Sequence, residues 1–472
     1  MRKFYSFIGL AMIVGVFVTQ DLLAQNDREG CITSEMLQKI QADSQKLESS
    51  KALINAVTNN DIKKLALNRE HLGRIDHHFA VKIETKGITD QKSSGRCWLF
   101  TGLNVLRPKV IQKYNLKNFE FSENYCFFWD QLEKANLFLE GIIETRSRKI
   151  DDRKVEWLFK HPISDGGVWN MVVALVEKYG VVPKEAMSES QQSENTRTMN
   201  RLLRRKLRED GLVLRQMHKQ KKAVRELRGA KNDMLGEIYH MLCIHLGVPP
   251  KEFTWRYEDK DGNLSEARTF TPQEFYREIV GVNLLDYVML MNDPTRDYYK
   301  LYEIEYDRNM VDKPNWTYVN LPTEELKEFA KSSILNGEAM YFSCDVGKQL
   351  NRDEGFLSLE NYDYGSIYGV QFGMSKKERI LTFDSGSSHG MALVGVDTLE
   401  NGKSTKWLLE NSWGKDAGHD GYLTMTDAWF DEYMFRLVVL KEFVTPEVLA
   451  VLDQKPIKLK PWDPMYLPFE DR

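Results

Sequence analysis

The sequence predicts an α+β chain of two lobes, a helical lobe and then a β-barrel-like lobe, separated by a large helical insertion. Three observations predict it. Apolar residues early in the chain recur at three- and four-residue steps, as at Leu99, Leu103, Leu106 and Val110, a spacing that predicts a helix over 94–114. The period then changes: short alternating runs predict strands at 339–344, 380–383, 391–396, 407–409, 421–425 and 436–440. Between these halves, 188–322 carries its own helical runs and strand-like pieces, and interrupts the passage from helices to strands.

A chain of 472 residues exceeds one small domain but suits one core with an insertion, and 42% apolar residues can fill that core. The net charge of -4, from 65 basic and 69 acidic side chains, gives no global attraction to nucleic acid or anionic membrane. At the N-terminus Arg2 and Lys3 precede an apolar run from Phe4 to Val18, and Leu22-Leu23-Ala24 precedes Gln25. This pattern predicts an export signal over 1–24, so the protein is expected to be periplasmic or secreted. The run of about fifteen apolar residues is short of the ~20 that span a bilayer, so no membrane partner is expected after signal removal.

In chain order, 31–65 reads as helical, with Met36, Ile40, Leu47 and Leu53 as candidates for a buried face. A short strand at 81–84 feeds the loop at Gln91. Ser122 precedes a helix carrying Tyr125, Phe128, Trp129, Leu132 and Leu139, on which Cys126 reads as packed and inert. A turn containing Asp165-Gly166-Gly167 opens a helix over 169–179, stopped at Gly180 with Pro183 beyond. From 197 to 231 the chain is basic and amphipathic, with Leu203, Leu207, Leu214 and Met217 on one face. The plainer reading is a solvated face; the alternative is a basic surface that holds nucleic acid non-specifically. Strand-like pieces follow at 301–306 and 316–319, and a capped helix is expected over 323–335.

The chemistry centres on Gln91-Lys92-Ser93-Ser94-Gly95-Arg96-Cys97-Trp98. Cys97 would stand in the first turn of a helix, where unpaired N–H groups and a partial positive charge favour thiolate over thiol. A free cysteine is ordinarily a small buried hydrophobe. Three features reverse that reading here: the Ser-Gly-Arg lead-in, a side-chain amide six residues upstream at Gln91, and His389 and Asn411 in strand-like contexts. The other cysteines, Cys31, Cys126, Cys243 and Cys344, form no Cys-x-x-Cys pair, which excludes a zinc finger or thioredoxin-type motif. No metal or organic cofactor is implied.

Gln91, Gly95-Arg96-Cys97-Trp98, Ser387-Ser388-His389-Gly390-Met391-Ala392 and Asn411-Ser412-Trp413-Gly414 resemble the active-site blocks of papain-fold cysteine peptidases, within them the bleomycin hydrolase and aminopeptidase C branch. The resemblance implies a papain-like two-lobed fold and Cys–His–Asn chemistry on peptide substrates. Cys97 would be the nucleophile, His389 the base, Asn411 its holder and Gln91 an oxyanion donor. Asp165, Gly166 and Gly167 would form a cleft wall that binds substrate main chain. Trp413 would line the site and shield the His389–Asn411 bond. Papain-type enzymes place the base ~130 to 150 residues after the nucleophile. From Cys97 to His389 the interval is roughly 150 residues longer, which matches the insertion in size.

The resemblance also implies a homohexamer, with 292–314 similar to a hook that holds a neighbour, and a C-terminal arm reaching the cleft and restricting the enzyme to free peptide N-termini. Lys460-Pro461-Trp462-Asp463-Pro464-Met465 carries the arm's likeness, but Tyr466 to Arg472 extend it. Family members are usually cytoplasmic, so the signal sequence is a departure. The expected organisation is 1–24 signal, 25–187 N-terminal wrap and helical lobe, 188–322 insertion and hook, 323–445 β-rich lobe and 446–472 arm. Release of N-terminal residues is the leading reading. Its alternatives are an exported endopeptidase with a displaced arm, and a non-catalytic ring that binds nucleic acid or peptides.

Overall fold

The computed structural model describes residues 30–44 and 51–466. The expected signal at 1–24, Leu47 and the chain end beyond Tyr466 lie outside them. Two compact units are present, one of Met1–Leu67 with Asp363–Phe372, the other of Asn68–Tyr362 with Gly373–Arg472.

The small unit contains helices α1 (Ser34–Ser44), α2 (Lys51–Asn59) and α3 (Ile62–Ala66). Asp61 caps α3 by accepting Lys63 N–H at 2.9 Å. Of the face expected to be buried, Met36 is 50% and Ile40 45% exposed, while Leu53 is half-buried. Periodicity fixes which side of a helix is apolar, not whether this chain supplies anything to cover it.

The large unit holds everything the site needs. Helix α4 (Cys97–Lys113) starts three residues later than expected and is buried along most of its length, from Trp98 to Arg107 and again at Val110 and Ile111. Helix α5 (Glu123–Glu144) begins as anticipated, with Ser122 Oγ accepting Tyr125 N–H at 3.1 Å. Helix α6 (Trp169–Tyr179) ends at Gly180, whose φ is 72°. Two long helices follow, α7 (Arg197–Lys219) and α8 (Val224–Leu246). Some of the cations on these helices and the turn between them are paired: Lys206 contacts Asp210 and Glu237, Lys222 contacts Glu226, and Arg228 and Lys231 both reach Glu140. Such pairing supports the plainer reading of a solvated face.

Among the described residues twelve strands join one sheet, and Phe253–Trp255 pairs with Arg268–Phe270 in a separate sheet of two. The central members of the larger sheet are β1 (Tyr287–Met291), β2 (Met340–Cys344), β3 (His389–Thr398), β4 (Ser404–Glu410), β5 (Tyr422–Thr426) and β6 (Met434–Leu440). Strand β3 runs antiparallel to β2, with His389 opposite Cys344, and to β4, with Ala392 opposite Glu410. Two expectations change. The run 380–383 is not a strand but the end of a helix, Lys376–Leu381, set by a capping box in which Ser375 and Glu378 satisfy each other's N–H groups. Helix Thr323–Leu335 has Pro322 at its N-cap, without a side-chain cap.

The segment assigned to insertion and hook is tied closely to the rest of the large unit. From Tyr287 its strands belong to the main sheet, since β1 pairs with β6. The stretch 292–314 folds onto its own chain. Asn309 and Met310 are buried, and the Asn309 amide donates to Asp130 Oδ1 (3.0 Å) and the Met171 carbonyl (3.3 Å). A buried amide bonded this way inside the chain is costly to pull out. The arm after 446 adds strand Ile457–Leu459 to Lys300–Ile304, then buries Met465 and donates from Tyr466 Oη to Tyr318 Oη at 2.6 Å.

Candidate active site

Helix α4 and strand β3 each present one reactive group at their first residue. Cys97 opens α4 with no side-chain cap ahead of it, so the helix N-terminus is free to act on the sulfur. His389 opens β3 and is buried. Burial pushes the Cys97 thiol up. The charge of His389, its hydrogen bond, and the N–H groups of Gly390 and Trp98 outweigh that, so the thiol lies below its ordinary range. For His389, burial pulls the imidazole down, but the Cys97 charge and the hydrogen bonds that the imidazolium gives to Cys97 and to Asn411 raise it above its ordinary value. The two shifts describe one thiolate–imidazolium pair.

Asn411, just after β4, lies 2.7 Å from His389 Nε2 through its Oδ1. That oxygen also accepts the Ser412 N–H at 2.8 Å, a position an amide NH2 could not serve. Oδ1 can only accept, so Nε2 carries the proton and Nδ1 is left to face Cys97. Trp413 lies over the imidazole, with ring centroids 4.8 Å apart, and the Arg352 guanidinium lies 4.8 Å from the Trp413 ring centroid. An apolar cover of this kind strengthens the His389–Asn411 bond by excluding water.

Gln91 is buried next to these groups and fixed at both ends of its amide. Its Oε1 accepts the Ser412 hydroxyl at 2.7 Å and its Nε2 donates to the Ser94 carbonyl at 2.6 Å. One Nε2 hydrogen is left over. The main chain adds a third tie, Gln91 N–H to the Ser412 carbonyl at 2.9 Å. Behind the cysteine, Arg96 is fully buried. It forms a two-pronged pair with Glu189 (3.1 and 2.8 Å), with its guanidinium carbon 5.1 Å from the Phe100 ring centroid. Beside it Glu123 is pushed up to about 8, first by burial and then by the charge of Glu189.

One buried ion pair joins the two walls. Arg107 on α4 reaches Glu410, the residue before Asn411, at 2.6 Å, with side chains 1% and 0% exposed. The helix that starts with the thiol is thus bonded to the strand that ends at the asparagine.

The structure brings Cys97, His389, Asn411, Gln91 and Trp413 together. It gives the glycine turn a different setting. The Gly166 carbonyl accepts Lys134 Nζ at 2.6 Å, and a Cβ at Gly167 would lie 2.6 Å from the Trp98 ring, so Gly167 is required for packing under that indole. Both Asp165 carboxylate oxygens accept hydrogen bonds from the protein itself. Sequence reasoning missed Ser412, Arg107 and Glu410 as parts of the site; only Ser412 carried a signal, lying inside the Asn-Ser-Trp-Gly run.

A thiol at a helix start, an imidazole held by a carboxamide, and a second carboxamide beside them on a papain-like α+β fold define a cysteine peptidase of the Cys–His–Asn class. Comparison with known proteins agrees. The chain belongs to the Peptidase C1-like family, whose profile matches residues 31–466. It is 43% identical to human bleomycin hydrolase over 91% of this chain and 97% of that protein. It is 39% identical to aminopeptidase C of Streptococcus thermophilus over 92% and 98%. The crystal structure of PepW from Lactobacillus rhamnosis superposes with a TM-score of 0.90 at 38% identity, covering 92% of this chain and 98% of that one.

Proposed function

We propose that this protein is a thiol-dependent aminopeptidase that releases residues from peptide N-termini through an acyl-enzyme on Cys97. The observation that carries the reading is the relay from the lowered Cys97 thiol through His389 to Asn411. The thiolate attacks the scissile carbonyl carbon, and the remaining Gln91 Nε2 hydrogen and the Cys97 N–H donate to the oxyanion. His389 Nδ1 gives its proton to the leaving amine, the C–N bond breaks, and the acyl group stays on sulfur. Water then attacks the thioester; His389 takes a proton from it and the thiolate leaves. Asn411 keeps the imidazole in the required tautomer throughout.

Preference for free N-termini is supported by relatives named aminopeptidase C. Hydrolysis of free against N-acetylated aminoacyl reporters tests it: only the free reporter should be cleaved, and Cys97→Ala should abolish turnover. Equal cleavage of the acetylated reporter would establish endopeptidase action instead. Export, supported by the pattern over 1–24, and a homohexamer, supported by the family resemblance, belong to the same proposal; cell fractionation and sedimentation analysis check them.

A further inference from the structure

We propose that Asp165 is a positioning residue, whose carboxylate ties the opening of helix α7 to the loop that presents Cys97, rather than a group that binds substrate. The inference rests on reading Cys97 as the nucleophile. Oδ2 of Asp165 accepts the Gly95 N–H at 3.0 Å and the Thr196 hydroxyl; Oδ1 accepts the Asn200 side-chain amide. The Asp165 carbonyl accepts Trp98 Nε1 at 2.6 Å. One residue therefore grips the chain two positions before Cys97 and one position after it.

The fit is close on both sides. A Cβ at Gly95 would stand 2.8 Å from Asp165 Cβ, so the loop can approach the carboxylate only as glycine. Thr196 and Asn200, at the start of α7, are both buried. Among the described residues Asn200 Oδ1 has no hydrogen-bond partner, as expected of an amide turned to give its NH2 to a carboxylate. A backbone contact reinforces the tie, with Ser93 N–H donating to the Glu194 carbonyl at 2.9 Å. The inserted helices thus serve as the base on which the cysteine loop rests. Gln91 sits at the far end of that loop, so a shift there displaces the thiol and the oxyanion donor together. A misplacement of about 1 Å can cost roughly 10²-fold in rate.

The experiment compares Asp165→Ala, Asp165→Asn and Thr196→Val in the full-length protein. It measures kcat and KM on an aminoacyl reporter, and the pH profile of Cys97 alkylation by iodoacetamide. Asp165→Ala should lower kcat about 10²-fold with KM within about two-fold, and should move the acid limb of alkylation to higher pH. Asp165→Asn should recover most of that loss. Its carboxamide oxygen keeps Gly95, and Asn200 can turn its unused oxygen to meet the new NH2. Thr196→Val, which keeps the Gly95 bond, should act in the same direction by a few-fold and serves if Asp165→Ala does not fold. A rise in KM at unchanged kcat would make Asp165 a substrate ligand and overturn the proposal, as would unchanged kinetics and alkylation in Asp165→Ala and Thr196→Val. If Cys97→Ala stayed fully active, the functional reading would fail, while the alkylation profile would still judge the tether.

Discussion

The loop before Cys97 and the loop before His389 face the same task, to deliver one side chain to a fixed point, and they are held differently. Each is anchored by an aspartate. Asp165 takes its donors from two separate parts of the chain, Gly95 on the loop and Thr196 and Asn200 on the inserted helix. Asp345 takes its donors from the loop it holds, accepting the Ser385 hydroxyl at 2.8 Å and the Ser388 hydroxyl at 3.3 Å. The histidine loop also has the sheet: Ser388 N–H donates to the Cys344 carbonyl at 2.9 Å, and the ladder places His389 opposite Cys344. Strand register is a repeated bond and tolerates the loss of one member. The cysteine loop depends on a few long-range side-chain bonds and should be the more fragile wall.

The largest effect is expected where both walls depend on one bond. Arg107→Ala would leave the Glu410 carboxylate buried without its cation, and removing one member of a buried ion pair costs about 3 to 5 kcal/mol. Urea unfolding should show that loss; a change below about 1 kcal/mol, the range of an exposed pair, would mean that the walls are joined by packing alone. Next comes Gln91→Ala, which removes an oxyanion donor and should lower kcat by about 10² to 10³-fold. Asp345→Ala should cost about 1 to 3 kcal/mol by stranding the loop donors, yet lower kcat less than Asp165→Ala does. Equal kinetic losses at the two aspartates would remove the distinction between the walls.

Much of this site was legible in the sequence because each reactive group stands at the end of an element with its own local signal. Cys97 and Gln91 flank one loop, His389 begins an apolar strand, and Asn411 directly follows another. The parts that were not legible are pairings between distant positions. Nothing near Asp165 announces Thr196 or Asn200, and nothing near Arg107 announces Glu410, because a buried carboxylate selects its donors through the fold and not through sequence spacing. The apolar run 380–383 was read as a strand from its composition, although Ser375 and Glu378 stand at capping-box spacing ahead of it. At Met36 and Ile40 the apolar stripe is present and uncovered.

The pH response sharpens the comparison further, because each wall contributes one member of the reactive pair. The thiol is lowered and the imidazole raised, so kcat/KM should follow a bell. Its acid limb should lie below the ordinary thiol range, where the thiolate takes up a proton, and its alkaline limb above the ordinary imidazole range, where the imidazolium loses one. Asn411→Ala removes one of the bonds that raise His389, and so should bring the alkaline limb inward while moving the acid limb less. A limb that stays in place would show that the asparagine orients the ring without supporting its charge.

A pH-dependent change in stability is expected at the charged cluster behind Cys97. Glu123 is buried and titrates near 8, raised from 4.5 by burial and by Glu189, while Arg96 pulls the other way and Glu120 adds to the rise. A carboxyl whose folded value exceeds its unfolded value stabilises the fold fully below 4.5, and that contribution is lost progressively as pH rises toward about 8. Glu123→Gln is neutral at every pH and removes the dependence. Thermal unfolding of the variant should vary less with pH across that window than the parent does, with the variant gaining relative stability toward the alkaline end. Parallel curves would mean that Glu189 and Arg96 already absorb the charge of Glu123, and that the cysteine wall carries no pH-sensitive weakness of its own.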